Sequence, residues 1–252
     1  MTMSKRYFLE LSYKGTHYHG WQIQNNAISV QEVLEKSLET YFRHPVGIMG
    51  SGRTDTGVHA SMQVCHFDTD AALDYQRFLR AINGILPKDI AISGIREVRS
   101  DAHARFDAVK RSYIYRVILQ KSPFLEDFAW MNYFQPNVDL MNQAARILLK
   151  HEDFECFSKV HTEVKHFRCK IIHASWEQKD GELQFHITAN RFLRGMVRAI
   201  VGTLMDVGLG RKTAEDLEQI IVSKDRKKAG KSAPAKGLFF SKIEYPADIY
   251  LD

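Results

Sequence analysis

The residues with the clearest potential for chemistry lie in one glycine-rich stretch, residues 50–60. It reads Gly-Ser-Gly-Arg-Thr-Asp-Thr-Gly-Val-His-Ala and holds a single carboxylate, Asp55, with a guanidinium two residues earlier at Arg53. Glycine adopts backbone angles that are closed to other residues, so such a run can present a side chain on a sharp turn. Two interpretations stand here: a carboxylate presented for catalysis, or a structural turn whose aspartate caps nearby backbone amides.

Metal, thiol and phosphate-loop chemistry find little support in the sequence. The three cysteines, Cys65, Cys156 and Cys169, show no Cys-x-x-Cys spacing, so neither a thiolate metal site nor a disulfide framework is expected. No Gly-Lys-Ser/Thr follows the glycine-rich stretch, which argues against a loop that binds nucleotide phosphates. We therefore expect no metal site.

Positive charge is concentrated late in the chain, in a segment we call the basic loop, residues 224–236. Lys and Arg number 35 against 30 Asp and Glu, a net charge of +5, and the basic loop alone carries that excess. Its bases are Lys224, Arg226, Lys227, Lys228, Lys231 and Lys236, against the single acid Asp225. A basic loop on an otherwise neutral chain favours contact with a polyanion. A solvated surface loop is the alternative.

The periodicity of apolar residues predicts the elements that must position these groups. Strands are predicted over 7–13, 46–49, 62–67, 90–98, 112–119, 167–176, 183–188 and 238–245, the sixth and seventh joined by a turn at 179–182. Helices are predicted after the N-cap residues Ser29, Asp74, Asn137 and Thr213, ending near 42, 86, 149 and 223, with another over 191–207. Two rounds of strand, helix, strand pair and helix predict an α+β fold in two similar halves, with a site in the cleft between them.

The predicted helix over 191–207 combines an apolar surface with regularly spaced charges. Arg191, Arg194 and Arg198 recur at i, i+3 and i+7, so they would form one stripe along this helix. Apolar residues cover more than half of its surface, which predicts a buried helix. A buried guanidinium needs an anionic partner, unless it extends to solvent, which is easier for Arg191 than for Arg198.

Five motifs occur in order along the chain and resemble those of one known family. They span residues 13–22, 52–60, 111–115, 192–202 and 233–238. Over almost its full length the chain resembles the TruA family of tRNA pseudouridine synthases. The resemblance implies the pseudouridine synthase fold, in which two ferredoxin-like α+β halves, here 1–105 and 106–252, join largely antiparallel sheets around a central cleft.

The same resemblance implies an activity: isomerisation of uridine to pseudouridine in the anticodon stem-loop of tRNA, at positions thirty-eight to forty. Family members act as homodimers without metal or cofactor. Asp55 would be the nucleophile and Arg198 its partner, while Tyr113 would stack on the target base and Arg53 would help to extrude it. These roles suit the chemistry, because a stacked base must be flipped out before a carboxylate can attack it. Attack at the ribose C1′ and attack at the base C6 both stay open.

Contacts to the RNA backbone are expected from basic side chains. The candidates are Arg194, Arg226, Lys227, Lys228 and Lys231. The chain departs from the family at 152–157, where Glu-Asp-Phe-Glu-Cys-Phe stands in place of His-Asp-Phe-Ser/Thr-Ser-Phe. An acid and a thiol replace small hydroxyl residues there, so no RNA contact is carried over to this stretch.

Three function classes follow from these residues. The first is a tRNA pseudouridine synthase. Its expected location is the cytoplasm, because no apolar run approaches the roughly 18 residues of a membrane helix and no apolar signal core follows the N-terminus. The second is a non-catalytic RNA-binding protein on the same scaffold, which would not need Asp55. The third is a hydrolase that uses Asp55 as a base. Loss of tritium from C5 of uridine in intact RNA would separate the three.

Overall fold

The computed structural model describes residues 4–160, 164–179 and 181–251. Within them lie five α-helices: α1 (Val30–Phe42), α2 (Tyr75–Ile85), α3 (Val138–Ile147), α4 (Met196–Gly208) and α5 (Ala214–Ser223). The strands are β1 (Lys5–Tyr13), β2 (Met49–Gly50), β3 (His59–Thr69), β4 (Ile90–Val98), β5 (Lys110–Ile118), β6 (Trp130–Met131), β7 (Ile171–Lys179), β8 (Glu182–Ala189) and β9 (Leu238–Glu244). The turn predicted at 179–182 includes Asp180, which lies outside the described residues.

The chain forms two compact units. Unit 1 comprises residues 1–109 and 240–252, and unit 2 comprises residues 110–239. In unit 1, β1 lies between β3 and β4 and is antiparallel to both, while β2 pairs with β3. The ring of Phe67 on β3 lies 5.8 Å from that of Phe42 on α1 and 6.2 Å from that of Phe78 on α2. Burial of these rings fixes both helices on the sheet.

The end of the chain belongs to unit 1. The backbone N–H of Val109 donates to the carbonyl of Glu244 at 2.8 Å, and the Tyr245 hydroxyl donates to the carbonyl of Ala104 at 2.7 Å. The two predicted halves meet between residues 105 and 106. In the structure, residues 240–252 belong instead to unit 1, because these hydrogen bonds hold the terminal segment there.

In unit 2, β8 lies between β5 and β7 and is antiparallel to both, and the short β6 is parallel to β5. Helix α3 is attached to β7 through Asn142. Its amide nitrogen donates to the carbonyl of Trp176 at 3.0 Å, and its amide oxygen accepts from the N–H of Trp176 at 2.8 Å. The helices and largely antiparallel strands of both units confirm the predicted α+β class.

Local sequence signals placed four of the five helix starts correctly. The side chains of Ser29, Asp74, Asn137 and Thr213 each accept a hydrogen bond from the backbone N–H three residues later. At α5 the bond is reciprocated by Asp216, which completes a capping box. Each cap satisfies an N–H that the helix itself leaves without a partner, a contribution of about 1 kcal/mol.

The strand predicted over 46–49 is wrong, because β2 comprises only Met49 and Gly50. The backbone N–H of Ile48 donates to the Glu35 carboxylate at 3.1 Å, and its carbonyl accepts from the Gln31 amide at 3.2 Å. Side chains of α1 thus occupy both backbone groups that a neighbouring strand would bind.

The strand predicted over 167–176 is wrong in its first part, since β7 begins at Ile171. Before that residue the chain pairs with an earlier loop: the N–H of Cys169 donates to the carbonyl of Glu152 at 2.8 Å. Helix α3 also ends earlier than predicted, at Ile147, and continues as a 3-10 turn.

One buried histidine makes the stability of unit 1 depend on pH. The Nδ1 atom of His66 accepts from the N–H of Ala104 at 3.1 Å, and burial lowers the pKa of His66 to about 4. In the unfolded chain a histidine protonates near pH 6.5. The unfolded state therefore binds more protons below pH 6.5, and the free energy of unfolding should fall by about 2–3 kcal/mol between pH 7 and pH 4.5 from this group.

Urea denaturation at the two pH values measures this effect. His66→Asn retains an acceptor near the position of Nδ1 but cannot titrate, so its loss of stability on acidification should be smaller than that of the wild type by the same 2–3 kcal/mol. Equal losses in the two proteins would show that His66 is not the group responsible.

Candidate active site

Asp55 lies on the loop between β2 and β3, in unit 1. The backbone N–H of Val58 donates to the carbonyl of Asp55 at 3.1 Å and closes a turn behind it. The Asp55 side chain is half-buried, and that of Arg53 is exposed. The turn therefore presents a carboxylate that solvent and a ligand can reach, with a guanidinium two residues away.

This loop rests on residues 13–21, which belong to the first sequence motif. The N–H of Trp21 donates to the carbonyl of Thr54 at 3.3 Å. The Tyr13 hydroxyl and the Thr54 hydroxyl are hydrogen-bonded at 2.8 Å in a buried position. Both the backbone and the side chain of the residue before Asp55 are thus fixed by the first motif.

Two glycines of the first motif allow the backbones to approach this closely. Gly20 has φ +87°, and a Cβ atom there would overlap the carbonyl oxygen of Thr54. A Cβ atom at Gly15 would overlap the carbonyl of Val58. Backbone from one motif therefore lies against backbone on both sides of Asp55, which requires residues without a side chain.

The sequence analysis gave no role to His59, which also supports the loop. Its side chain is almost fully buried, and Nδ1 accepts from the N–H of Gly15 at 3.0 Å. The histidine of the Gly-Val-His-Ala motif thus ties the first motif to the strand that follows Asp55. Its place in a motif was a usable signal, but its partner lies 44 residues away.

Tyr113 lies on β5, in unit 2. Its side chain is buried, and its ring meets that of Phe192 edge to face, with centroids 5.1 Å apart and an interplanar angle of 89°. Edge-to-face packing of this kind stabilises one orientation of the ring. Phe192 is the first residue of the motif at 192–202, which continues into α4. Two of the five motifs therefore meet at this ring pair.

Arg198 lies in the first turn of α4 and is held by Ala233. Its Nε atom donates to the carbonyl of Ala233 at 2.7 Å, and its own carbonyl accepts from the N–H of Ala233 at 2.9 Å. The side chain is half-buried. These two hydrogen bonds fix the guanidinium plane relative to the last of the five motifs.

The chain on both sides of Ala233 packs closely on its neighbours. A Cβ atom at Gly202 of α4 would overlap the carbonyl oxygen of Lys231, which explains why a helix interior holds a glycine there. The Tyr115 hydroxyl donates to the carbonyl of Pro234 at 2.7 Å. Burial raises the pKa of Tyr115, so this hydroxyl keeps its proton and the hydrogen bond.

The predicted stripe of arginines on α4 is wrong, because the helix begins at Met196 rather than at residue 191. Gly195, the residue before it, has φ +72°, a left-handed conformation that a right-handed helix cannot include. Arg191 and Arg194 lie in the irregular segment before it, and only Arg198 lies on the helix.

Part of the basic loop is already neutralised by carboxylates of unit 2. The Lys224 ammonium lies 2.6 Å from a carboxylate oxygen of Asp153, and the Lys236 ammonium lies 2.8 Å from one of Glu126. These two bases therefore add little to the attraction of a polyanion.

Another base of the loop has a structural contact. Arg226 donates to the carbonyl of Gly230 at 3.2 Å and to the hydroxyl of Ser232 at 2.9 Å, so it holds the loop in its own conformation. The exposed bases of the loop are Lys224, which is paired with Asp153, and Lys227, Lys228 and Lys231.

The stretch 152–157, where the chain departs from the family pattern, belongs largely to the core. Cys156 is fully buried together with Phe154 and Phe157, and burial raises the pKa of the Cys156 thiol to about 12. The thiol is therefore protonated at neutral pH and packs as a small apolar side chain.

Membrane-spanning helices and metal-binding clusters are both absent from the part of the chain that the structure describes. No helix in that part of the chain combines the length and apolar character needed to cross a membrane. Among the described residues, no three His, Cys, Asp or Glu side chains are grouped so that they could hold a metal ion.

Comparison with known proteins agrees with the motif pattern. A family described as tRNA pseudouridine synthase matches residues 11–107 and 144–246, which contain Asp55 and Arg198. The tRNA pseudouridine synthase A of Bacteroides thetaiotaomicron is 49% identical over 249 residues, 98% of this chain and 93% of that protein. The proteins of the same name from Bacteroides fragilis and Porphyromonas gingivalis are 48% and 46% identical, over 98% of this chain and 98% and 99% of their own lengths.

Proposed function

This chain belongs to the tRNA pseudouridine synthase family, and we propose that it isomerises uridines of the anticodon stem-loop with Asp55 as the nucleophile. The observation that carries the proposal is the loop of Asp55. It presents one half-buried carboxylate on a turn whose two sides are held by another motif, through Thr54 and through His59. Such fixed placement is what a nucleophile needs to react from a single geometry.

The reaction transfers the ribose C1′ from N1 to C5 of uracil. The N1–C1′ bond breaks, a C5–C1′ bond forms, C5 loses its hydrogen as a proton, and N1 gains one. A carboxylate can begin this sequence as a nucleophile at C1′ or at C6. Both routes end with the C5 hydrogen in water and with an unbroken RNA chain.

The other site residues complete the proposal. Flipping the target nucleotide costs a few kcal/mol, and stacking on Tyr113 would recover about 1–3 kcal/mol. The Phe192 ring supports this role because it fixes the Tyr113 ring before RNA binds. Arg198 would favour the ionised form of Asp55, and Arg53 would help to extrude the base.

The family resemblance also extends the proposal to the fold, the oligomeric state and the location of the protein. We infer two ferredoxin-like halves around a central cleft, a homodimer and a cytoplasmic location, as the family pattern implies. No metal or cofactor is part of the proposed reaction.

Tritium release from tRNA transcripts that carry [5-³H]uridine tests the function and its target together. Release should occur with the natural anticodon stem-loop and stop when uridines thirty-eight to forty are replaced by cytidine. Release that continues would place the target elsewhere in the tRNA. Bound but unchanged RNA would favour the non-catalytic RNA-binding protein, and base loss or strand cleavage would favour the hydrolase.

Removal of the Arg198 cation should both slow the reaction and change its pH dependence. If Arg198 pairs with Asp55 as proposed, Arg198→Ala removes a cation that favours the ionised form of the Asp55 carboxylate. We expect kcat/KM to fall on the order of a hundredfold, and the acidic limb of the pH–rate profile to move to higher pH. Arg198→Lys keeps the charge and should move the limb less. An unchanged profile in Arg198→Ala would mean that Arg198 binds another group.

Lys227, Lys228 and Lys231 of the basic loop should contact phosphates rather than nucleobases, because a lysine ammonium recognises charge and not sequence. Replacing Lys227, Lys228 and Lys231 with Gln should weaken binding to all tRNAs alike. The slope of log K against log salt should fall by roughly 0.7–0.9 per lost contact, with the rate at saturating tRNA unchanged. A constant slope would identify the loop as ordinary solvated surface.

A further inference from the structure

A second set of basic side chains is gathered on unit 2, outside the basic loop. We call it the basic surface; it consists of Lys159, Lys165, Arg168, Lys170, Arg191 and Arg194. All of these side chains are exposed except that of Arg191, which is half-buried. They come from two stretches of chain that are about twenty residues or more apart in sequence, on either side of the β7–β8 hairpin.

Hydrogen bonds of Asn190 and of the backbone hold the two stretches together. The side-chain oxygen of Asn190 accepts from the backbone N–H of Lys170 and from that of Arg191, both at 2.8 Å, and the backbone N–H of Asn190 donates to the carbonyl of Lys170 at 3.1 Å. The N–H of Lys159 donates to the carbonyl of Arg194 at 2.9 Å. The charges are therefore brought together by the fold and not by chance rotamers of flexible side chains.

The sign of the charge is nearly uniform. Residues 159–170 and 190–198 contain seven Lys and Arg against a single acid, Glu163, which lies outside the described residues. The Nη1 atom of Arg191 lies 3.3 Å from the ring nitrogens of His166, a hydrogen-bonding contact that orients the guanidinium and leaves its positive charge in place. A cluster of bases of one sign raises the local concentration of anionic ligands.

Two acidic residues, Glu152 and Asp153, lie on the loop whose backbone pairs with Arg168 and Cys169, and the carboxylate of Asp153 is already engaged. Its partner is Lys224, with N and O atoms 2.6 Å apart, and Arg168 is the next cation along. A contact with a phosphate chain thus fits the basic surface better than a contact with a second basic protein or an apolar segment.

We propose that the basic surface binds the sugar-phosphate backbone of the tRNA substrate, next to the exposed bases of the basic loop. The identity of the ligand as tRNA rests on the proposed function; the presence of a polyanion site rests on the charges and hydrogen bonds above. Because Lys and Arg on phosphates position the RNA without reading its sequence, this surface contributes affinity and orientation rather than choice of uridine.

The test compares two sets of substitutions in the full-length Asp55→Asn protein, which allows binding to be measured without turnover. The first set is Lys165→Gln, Arg168→Gln and Lys170→Gln. The control set, Arg77→Gln, Arg80→Gln and Lys88→Gln, removes the same charge from exposed positions of unit 1. The first set should raise the Kd for tRNA about tenfold or more and reduce the slope of log K against log salt by about 2–3; the control set should change neither.

The proposal is overturned if the first set leaves the slope of log K against log salt unchanged. It is also overturned if the control set weakens tRNA binding as much as the first set does. Urea denaturation of both triple variants provides the check on folding, since substitutions at exposed positions should leave the unfolding midpoint close to that of the Asp55→Asn parent. Failure of the proposed function would be seen differently, as absent tritium release by the wild-type protein, whatever the slope.

Discussion

Asp55→Asn should abolish tritium release while the affinity for tRNA stays within a few-fold of wild type. Asparagine has nearly the same shape as aspartate but carries no charge and is not a nucleophile. Trp21 and Tyr13 hold the loop through Thr54, so the substitution leaves those hydrogen bonds in place. We expect the single-turnover rate to fall by on the order of 10⁴-fold or more, the size of loss seen when a nucleophile is removed.

Single-turnover release with enzyme in excess measures this loss without interference from product release. Asp70→Asn, which neutralises an exposed carboxylate elsewhere in unit 1, is the matched control and should react at the wild-type rate. More than a trace of release by Asp55→Asn, with intact binding, would rule out Asp55 as the nucleophile and leave its loop with a structural role.

The starts of α1, α2, α3 and α5 could be predicted because each depends on residues that are close in sequence. At Ser29 and at Thr213, a side chain accepts from an N–H three residues later, so composition and spacing contain the whole interaction. The alternation of buried apolar residues along β1 is equally local. These features could therefore be predicted without knowledge of the rest of the fold.

The errors occur where a backbone conformation or a distant partner determines the structure. Apolar and charged spacing runs on through residues 191–195, but the left-handed backbone of Gly195 prevents a helix from including them. At Ile48, side chains from α1 bind the backbone groups that a strand would use. Neither the φ angle nor the partner is visible in a window of neighbouring residues.

In the candidate site, too, local features could be predicted and distant contacts could not. The glycine pattern around Asp55 predicts a turn, but it does not reveal that His59 supports this turn by accepting a hydrogen bond from Gly15. Charge was misjudged for a related reason. A net charge counts Lys224 and Lys236 fully, although both meet carboxylates from other segments. It also reports the remainder of the chain as neutral, which conceals the basic surface.

Gly20→Ala should reduce the rate of isomerisation by about a hundredfold while tRNA still binds. At φ +87° an alanine costs roughly 1–2 kcal/mol, and its Cβ atom would overlap the carbonyl oxygen of Thr54. The bond from Trp21 to that carbonyl must then lengthen or break, and the loop of Asp55 must shift. Displacement of a catalytic group by about 1 Å costs on the order of 10² in rate.

Gly210→Ala separates this displacement from the general cost of the backbone conformation. Gly210 has φ +71°, but a Cβ atom there would meet no neighbouring atom within 4 Å. Both variants should therefore lose thermal stability from the strained backbone, Gly20→Ala more because of the overlap with Thr54, while only Gly20→Ala should lose activity at saturating tRNA. If the two lose activity equally, contact between the first motif and the Asp55 loop does not position the nucleophile. If Gly20→Ala alone is slow and its Kd for tRNA is unchanged, the first motif acts by holding Asp55 in its reactive position.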